Sequence, residues 1–467
     1  MTAAALSVGL TGGSASASTR GTGTTAAVAQ GNAPEQQNAT AQGNAAGQQN
    51  ATAQGNAPEQ QRATARGNAA GHQRATARGN AATEADAGLV SAHSVSTPPR
   101  LGEVRPVIAY VANVGASGAG TVTPIKTSTD SAGTPINVGD DPSVIGITPN
   151  GNTAYVLNQD SDTVTPIQTA TDTAGPAISV GSEPAAIAFT PDGKTAYVAN
   201  AADGTVTPIK TATNTAGSPI TVGSYPSAIA ITPDGSTAYV ANSGSGTVTP
   251  IKTATNTAGA PITLSAYPAG IAITPDGKTA YVIGDTEYSG SVTPITTATN
   301  KAGTAIALSG YPSAISITPN GKTAYVVGAG SANGTVTPIT VATNKAGPAI
   351  TVDSDPLAIA ITPDGDTAYV LSDGVASCSG QVTPIETASN KAGEAIQISA
   401  EPTAVSFTPD GKTAYVVDDY CDLTPGAVTP ITTATNAVGA PVPVGVYPRA
   451  IAITPLMKTL GVSAPCP

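Results

Sequence analysis

The sequence predicts an all-β fold, a β-propeller of four-stranded blades, on three observations. A unit of 42 residues, cleanest over Tyr225 to Ala266, recurs through everything after about residue 105. Each copy holds four short runs rich in Ile, Val, Thr and Tyr (AIAIT, TAYVA, TVTPI and PITL in that copy), separated by clusters of Gly, Pro, Asn, Asp and Ser. That is the pattern of four strands with their turns. A repeat of this length with four strands matches one propeller blade, a unit that buries its faces only by stacking on neighbours.

Taken in order, residues 1–20 carry a short apolar stretch followed by small residues around Ala15 to Ala17, resembling the end of a secretory signal. Residues 21–104 contain a second repeat, with Gly-Asn pairs beginning at Gly31, Gly43, Gly55, Gly67 and Gly79. Those copies contain no large apolar side chain, so they cannot offset the entropy of ordering and read as a disordered linker. Later copies place Arg62, Arg66, Arg74 and Arg78 where earlier ones have Asn or Gln. Residues 105–455 are the propeller and residues 456–467 a C-terminal tail.

The blade count follows from the strands. Ile108–Asn113, Thr121–Ile125 and Pro135–Val138 read as a second, third and fourth strand without a first. Complete units follow, with Tyr-Val pairs at Tyr155, Tyr197, Tyr239, Tyr281, Tyr325, Tyr369 and Tyr415, and Ala450–Thr454 is a first strand with nothing after it. The sum is eight blades, seven being the alternative, and the C-terminal strand is expected to complete the N-terminal blade and so pair two open edges. Within a blade, Ile229 and Ile231 are expected to face one neighbour, and Ala228 and Ala230 the other. Pro250 and its counterparts cannot donate to a ladder; they are expected near the end of the third strand, where the outer strand is short.

These units resemble the YVTN-family β-propeller repeat. The run appears as Tyr-Val-Ala-Asn at Tyr110, Tyr197 and Tyr239, preceded in most copies by Thr-Pro-Asp-Gly and followed by Thr-Ala-Thr-Asn. The resemblance implies a secreted or surface-associated bacterial or archaeal protein, and little about chemistry, because such folds host enzymes, binding modules and surface-layer components alike. The chain departs from the family in its Val-Thr-Pro-Ile third strands and in having eight blades where seven are usual.

Composition narrows the chemistry. The net charge of −11 argues against a nucleic-acid binder, and no apolar run reaches the roughly 18 residues of a transmembrane helix. The only histidines, His72 and His93, fall in the linker, which disfavours an imidazole metal site or a Ser-His hydrolase in the repeats. No cofactor is expected, calcium being the one candidate.

Charge is expected to segregate between the two ends of the ring. The hairpins joining first to second and third to fourth strands carry all eleven lysines, if Lys458 is placed in the last turn. The loops joining second to third and fourth to first strands carry fifteen acids, opposed only by Arg449. The residue before the Pro that opens each first strand reads Asp141, Glu183, Tyr225, Tyr267, Tyr311, Asp355, Glu401 and Tyr447 around the ring. If these rim the channel mouth, it has an aromatic arc and an acidic arc. Such a mouth would suit Ca²⁺, a sugar or cationic peptide stacked on tyrosine, or another surface protein; solvation of the loop ends is the alternative. An exported binding module is the first reading. A lactonase-like or carboxylate-based hydrolase using pairs among Asp141, Glu183, Asp355 and Glu401 is the second, and a structural surface-layer component the third. Cys378 and Cys421 fall in second-to-third loops of adjacent blades, where a disulfide would fit export and free thiols are the alternative.

Overall fold

The computed structural model describes residues 105–286, 289–329, 333–373, 380–398, 400–420 and 424–456. The signal-like segment, the linker, all but the first residue of the tail, and Cys378, Cys421 and Cys466 lie outside them. Among the described residues there is no helix, so none long and apolar enough to cross a membrane.

The described chain forms eight antiparallel sheets, each a blade. The C-terminal strand Pro448–Ile453 pairs with Ile108–Asn113, with Ala112 opposite Ala450 and Ala109 opposite Ile453, so the first blade takes its innermost strand from the far end of the chain. Thr454 N donates to Ile108 O at 2.9 Å and Ile108 N to Thr454 Oγ1 at 2.9 Å, locking the register.

The outer strand of each blade is split. In the fourth blade, Thr257–Ala258 and Ile262–Thr263 pair with either end of the third strand, Thr247–Lys252, leaving a gap at residues 259–261. Pro250 lies opposite that gap. Its carbonyl accepts from Gly259 N at 2.7 Å, so its nitrogen, which has no hydrogen, faces the same outer edge. The proline therefore sits two residues from the end of the third strand, and the outer strand accommodates it by breaking into two short pieces.

Burial follows the alternation of the inner strand. Ile229 packs with Ala186, Ala188 and Tyr197 of the third blade and Ile231 lies against the same cluster, whereas Ala228 and Ala230 meet Ile271 of the fifth. Eight such clusters, one per junction, make up the core. With few aromatics available, the largest side chains in the core are the tyrosines of the Tyr-Val pairs, all essentially without solvent contact.

Each of these tyrosines also ties its blade to the next. Tyr155 donates to Asn214 Oδ1 at 2.5 Å, Tyr197 to Asn256 at 2.6 Å and Tyr239 to Asn300 at 2.5 Å; the series runs round the ring through Tyr369 and Asn436. Every acceptor occupies a left-handed turn position, φ near +50°, which Asn and Asp tolerate better than other side-chain-bearing residues. At the two junctions flanking the first blade the acceptor is a carboxylate, Asp172 for Tyr110 at 2.5 Å and Asp130 for Tyr415. The Tyr-Val and Thr-Ala-Thr-Asn motifs are thus two halves of one inter-blade bond.

Candidate functional site

The antiparallel order fixes which loops share an end. In the fourth blade, Ser243 N donates to Tyr225 O at 2.9 Å and Gly244 N to Ser224 O at 3.0 Å, joining the second-to-third loop to the segment entering the first strand. At the opposite end, Thr253 N donates to Ser236 O at 3.1 Å, joining the other two hairpins. Asp141, Glu183, Tyr225, Tyr267, Tyr311, Asp355, Glu401, Tyr447 and Arg449 therefore all stand at one end of the ring, here called the rim. Each belongs to, or directly precedes, an innermost strand, so together they surround the channel mouth.

They are presented in two ways. Asp141, Glu183, Tyr225, Asp355 and Tyr447 have φ between 48° and 55°, a conformation unfavourable for a side-chain-bearing residue, above all before proline. Their carbonyls explain it, because each accepts from the first N–H after the second strand, as Gln159 N does to Asp141 O at 2.9 Å and Ala201 N to Glu183 O at 2.8 Å. Tyr267, Tyr311 and Glu401 instead stay extended, because the second strand runs far enough to pair with them at Asp285, Ala329 and Asp419. One residue beyond the proline, every first strand carries a β-bulge, placing Ser227, Leu357, Thr403 or Arg449 at the extra position. Bulges of this kind re-aim a side chain. Ser227, Ser313 and Thr403 use it to donate to the carbonyls of Pro268, Pro356 and Pro448 in the next blade, at 3.3, 2.8 and 3.1 Å.

Carboxylates at the two ends are in different states. In the hairpins away from the rim, Asp192 accepts from Thr190 Oγ1 at 2.7 Å and Lys194 N at 3.1 Å, which holds its pKa down to about 2; Asp234, Asp276 and Asp364 are lowered by the same turn bonds. Exposed Lys194, Lys278 and Lys412 pair with the aspartates of their own turns. These acids are engaged in holding their hairpins.

At five rim aspartates the direction reverses. Burial, with Glu401 and Asp355 close by, raises Asp373 to about 6. Burial and Glu401 push Asp419 up to about 6, against the pull of Arg449. Asp285 is raised by burial, and Asp141 by burial and Asp160, opposed by Arg449. Among the described residues, Asp285, Asp373 and Asp419 each have a buried Oδ1 without a hydrogen-bond partner. Asp418 is a separate case. It is completely buried at the end of a second strand, where Asn113, Asn158, Asn200 and Asn242 stand in other blades, and burial raises it to about 7 although Thr429 donates to it.

The sequence-predicted residues thus gather at one mouth as two arcs, but no three His, Cys, Asp or Glu side chains come together as a metal-holding group among the described residues. Sequence reasoning counted Asp373 and Asp419 among the fifteen rim acids without their burial or the nearness of Glu401 to each, and it missed Leu357. The available signal for Leu357 was its place after the proline, held elsewhere by Ser, Ala, Thr or Arg.

No family model matches the chain, and no curated protein does. Among solved structures it is similar to the hydrazine synthase of Kuenenia stuttgartiensis, at 26% identity and a TM-score of 0.52, over 63% of this chain and 96% of that one. It is also similar to the dihydro-heme d1 dehydrogenase NirN in complex with DHE, at 17% identity and TM-score 0.62, over 76% and 77%. A protein of unknown function from Desulfotomaculum acetoxidans matches at 18% identity and TM-score 0.51, over 66% and 100%. These likenesses support the propeller fold.

Proposed function

We propose that this chain is an exported or surface-associated binding module of the YVTN-repeat type, whose interaction face is the acidic and aromatic rim. One observation carries the reading: Asp192, Asp234, Asp276 and Asp364, away from the rim, are held ionised by bonds within their own turns, whereas Asp285, Asp373 and Asp419 of the rim are partly buried, raised, and keep a buried oxygen without a hydrogen-bond partner. Carboxyls raised by burial and neighbouring acids are ones that a cation can relieve, and such perturbed groups cluster at functional sites. The repeat motifs and the small-residue N-terminus support export. The partner is another surface protein, a glycan or a cation such as Ca²⁺.

The test is calorimetric titration of the full chain with CaCl₂, neutral oligosaccharides and basic peptides, alongside a hydrolase substrate panel. Heat from at least one ligand that is lost when rim residues are replaced supports the reading. Turnover of a substrate that depends on Asp141 or Glu183 would move the assignment to the second reading, a lactonase-like or carboxylate-based hydrolase. That reading draws on Asp141, since a raised carboxyl is what a general acid requires.

A further inference from the structure

The rim carries a feature that its acids do not explain. Among the described residues the exposed large apolar side chains number six, and four of them, Tyr225, Tyr267, Tyr311 and Leu357, open the first strands of four consecutive blades. The tyrosines are 59%, 62% and 48% exposed, in contrast to the buried tyrosines of every blade junction. Exposed apolar side chains repeated on successive blades at one edge of an otherwise polar surface point to an interaction site. Tyr225 is also held in place: a Cβ on Gly244 would stand 2.8 Å from Tyr225 Cδ2, so the ring rests against a glycine of its own blade.

The arc continues into carboxylates. Asp355 lies two residues before Leu357, Asp373 is close to both Asp355 and Glu401, and Glu401 is close to Asp419. The charge that balances this side, Arg449, stands beyond Asp419 in the next blade.

Building on the binding-module reading, we propose that the arc from Tyr225 to Glu401 is a docking surface for an extended, arginine- or lysine-bearing segment of a partner protein. Its apolar side chains and cation faces lie on the three tyrosines and Leu357, and its charged ends reach Asp355 and Asp373. Charge complementarity selects this partner. A neutral sugar would stack on the rings but leave the carboxylates crowded, and a polyanion would be repelled. A guanidinium satisfies both halves, since it stacks on aromatic faces and pairs with carboxylates in a planar fork. The run across successive blades suits an extended chain better than a compact ligand.

The test uses the full chain and a fluorescein-labelled decapeptide alternating Arg and Leu, with its Glu/Leu counterpart, a neutral hexasaccharide and CaCl₂ as comparison probes, all read at low salt. The Arg/Leu peptide is expected to bind and the Glu/Leu peptide not. Each exposed cation–π contact is worth a factor of about three, so Y225A/Y267A/Y311A is expected to weaken binding about 30-fold. D355N/D373N should weaken it as well, while K194Q/K278Q/K412Q at the other end leaves it unchanged. Melting of each variant checks that the fold is intact. No peptide binding at millimolar concentration, or binding indifferent to the tyrosine variant, overturns the proposal. Rim-dependent binding of the saccharide or of calcium without the peptide overturns it but leaves the binding-module reading standing. Binding that instead follows the lysine variant removes both.

Discussion

Asp418 offers a perturbation whose size can be worked from the structure. It is fully buried at a position that four other blades fill with asparagine, and its carboxyl is pushed from 3.8 to about 7 by burial. A carboxyl with a raised folded-state pKa binds its proton more tightly in the native state. Its contribution is therefore fully favourable below about pH 3.8 and is lost as pH rises through about 7. At about 1.4 kcal/mol per pH unit, the full loss amounts to about 4 kcal/mol by pH 8. Asparagine carries no such charge. In the third blade Asn200 Nδ2 donates to Thr207 Oγ1 at 2.9 Å, and Thr429 is the corresponding partner here. Asp418→Asn is therefore expected to stabilise the propeller at pH 8 by up to about 4 kcal/mol, and to gain little at pH 4. The gain is reduced because Ala427 replaces the second threonine that Asn200 reaches at Thr205. Chemical denaturation of both proteins at pH 4, 6 and 8 measures it. Equal differences at all three values would refute the reasoning, because no group would then be titrating in the buried site.

Other outcomes follow from the same structure. Tyr197→Phe should cost about 1 kcal/mol and Tyr110→Phe about 2 kcal/mol, because the latter loses a bond to a carboxylate; denaturant midpoints compare them. Deleting residues 446–455 removes a paired strand and the buried Ile451, so the truncated chain should melt at lower temperature and bind a hydrophobic dye. An unchanged calorimetric melt would contradict the closure. Cations bind the ionised form, so peptide affinity at the rim should rise with pH through about 6, where Asp373 and Asp419 lose their protons. Flat affinity from pH 5 to 8 would contradict their involvement.

The architecture was legible because a blade repeats its own constraints. The alternation of Ile229 and Ala230 survives in the packing, since both faces of an inner strand meet a neighbour. The strand excess at one end and deficit at the other force closure. The break in the outer strand opposite the proline was not legible, because a missing donor can be accommodated either by ending a strand or by breaking its partner, and local sequence does not choose between them. The tyrosine-to-asparagine bonds lay hidden because the two motifs join about 60 residues apart, across a junction rather than within a blade. The placement of the rim residues was readable from the loop order. Their states were not, because the rise of Asp373 comes from burial and from Glu401, a residue of another blade, and neither is written in the local sequence. Leu357 escaped because exposure at a bulge is invisible to a reading based on alternation.

Chemical footprinting of the tyrosines tests most directly whether the rim is the working surface. Nitration of the full chain, read by mass spectrometry with and without the Arg/Leu peptide, compares Tyr225, Tyr267 and Tyr311 with the buried tyrosines of the blade junctions as internal references. Protection confined to those three residues is the expected result. Unchanged nitration at the rim, with the peptide bound and the lysine-bearing hairpins shielded from acetylation, would place binding at the opposite end of the ring.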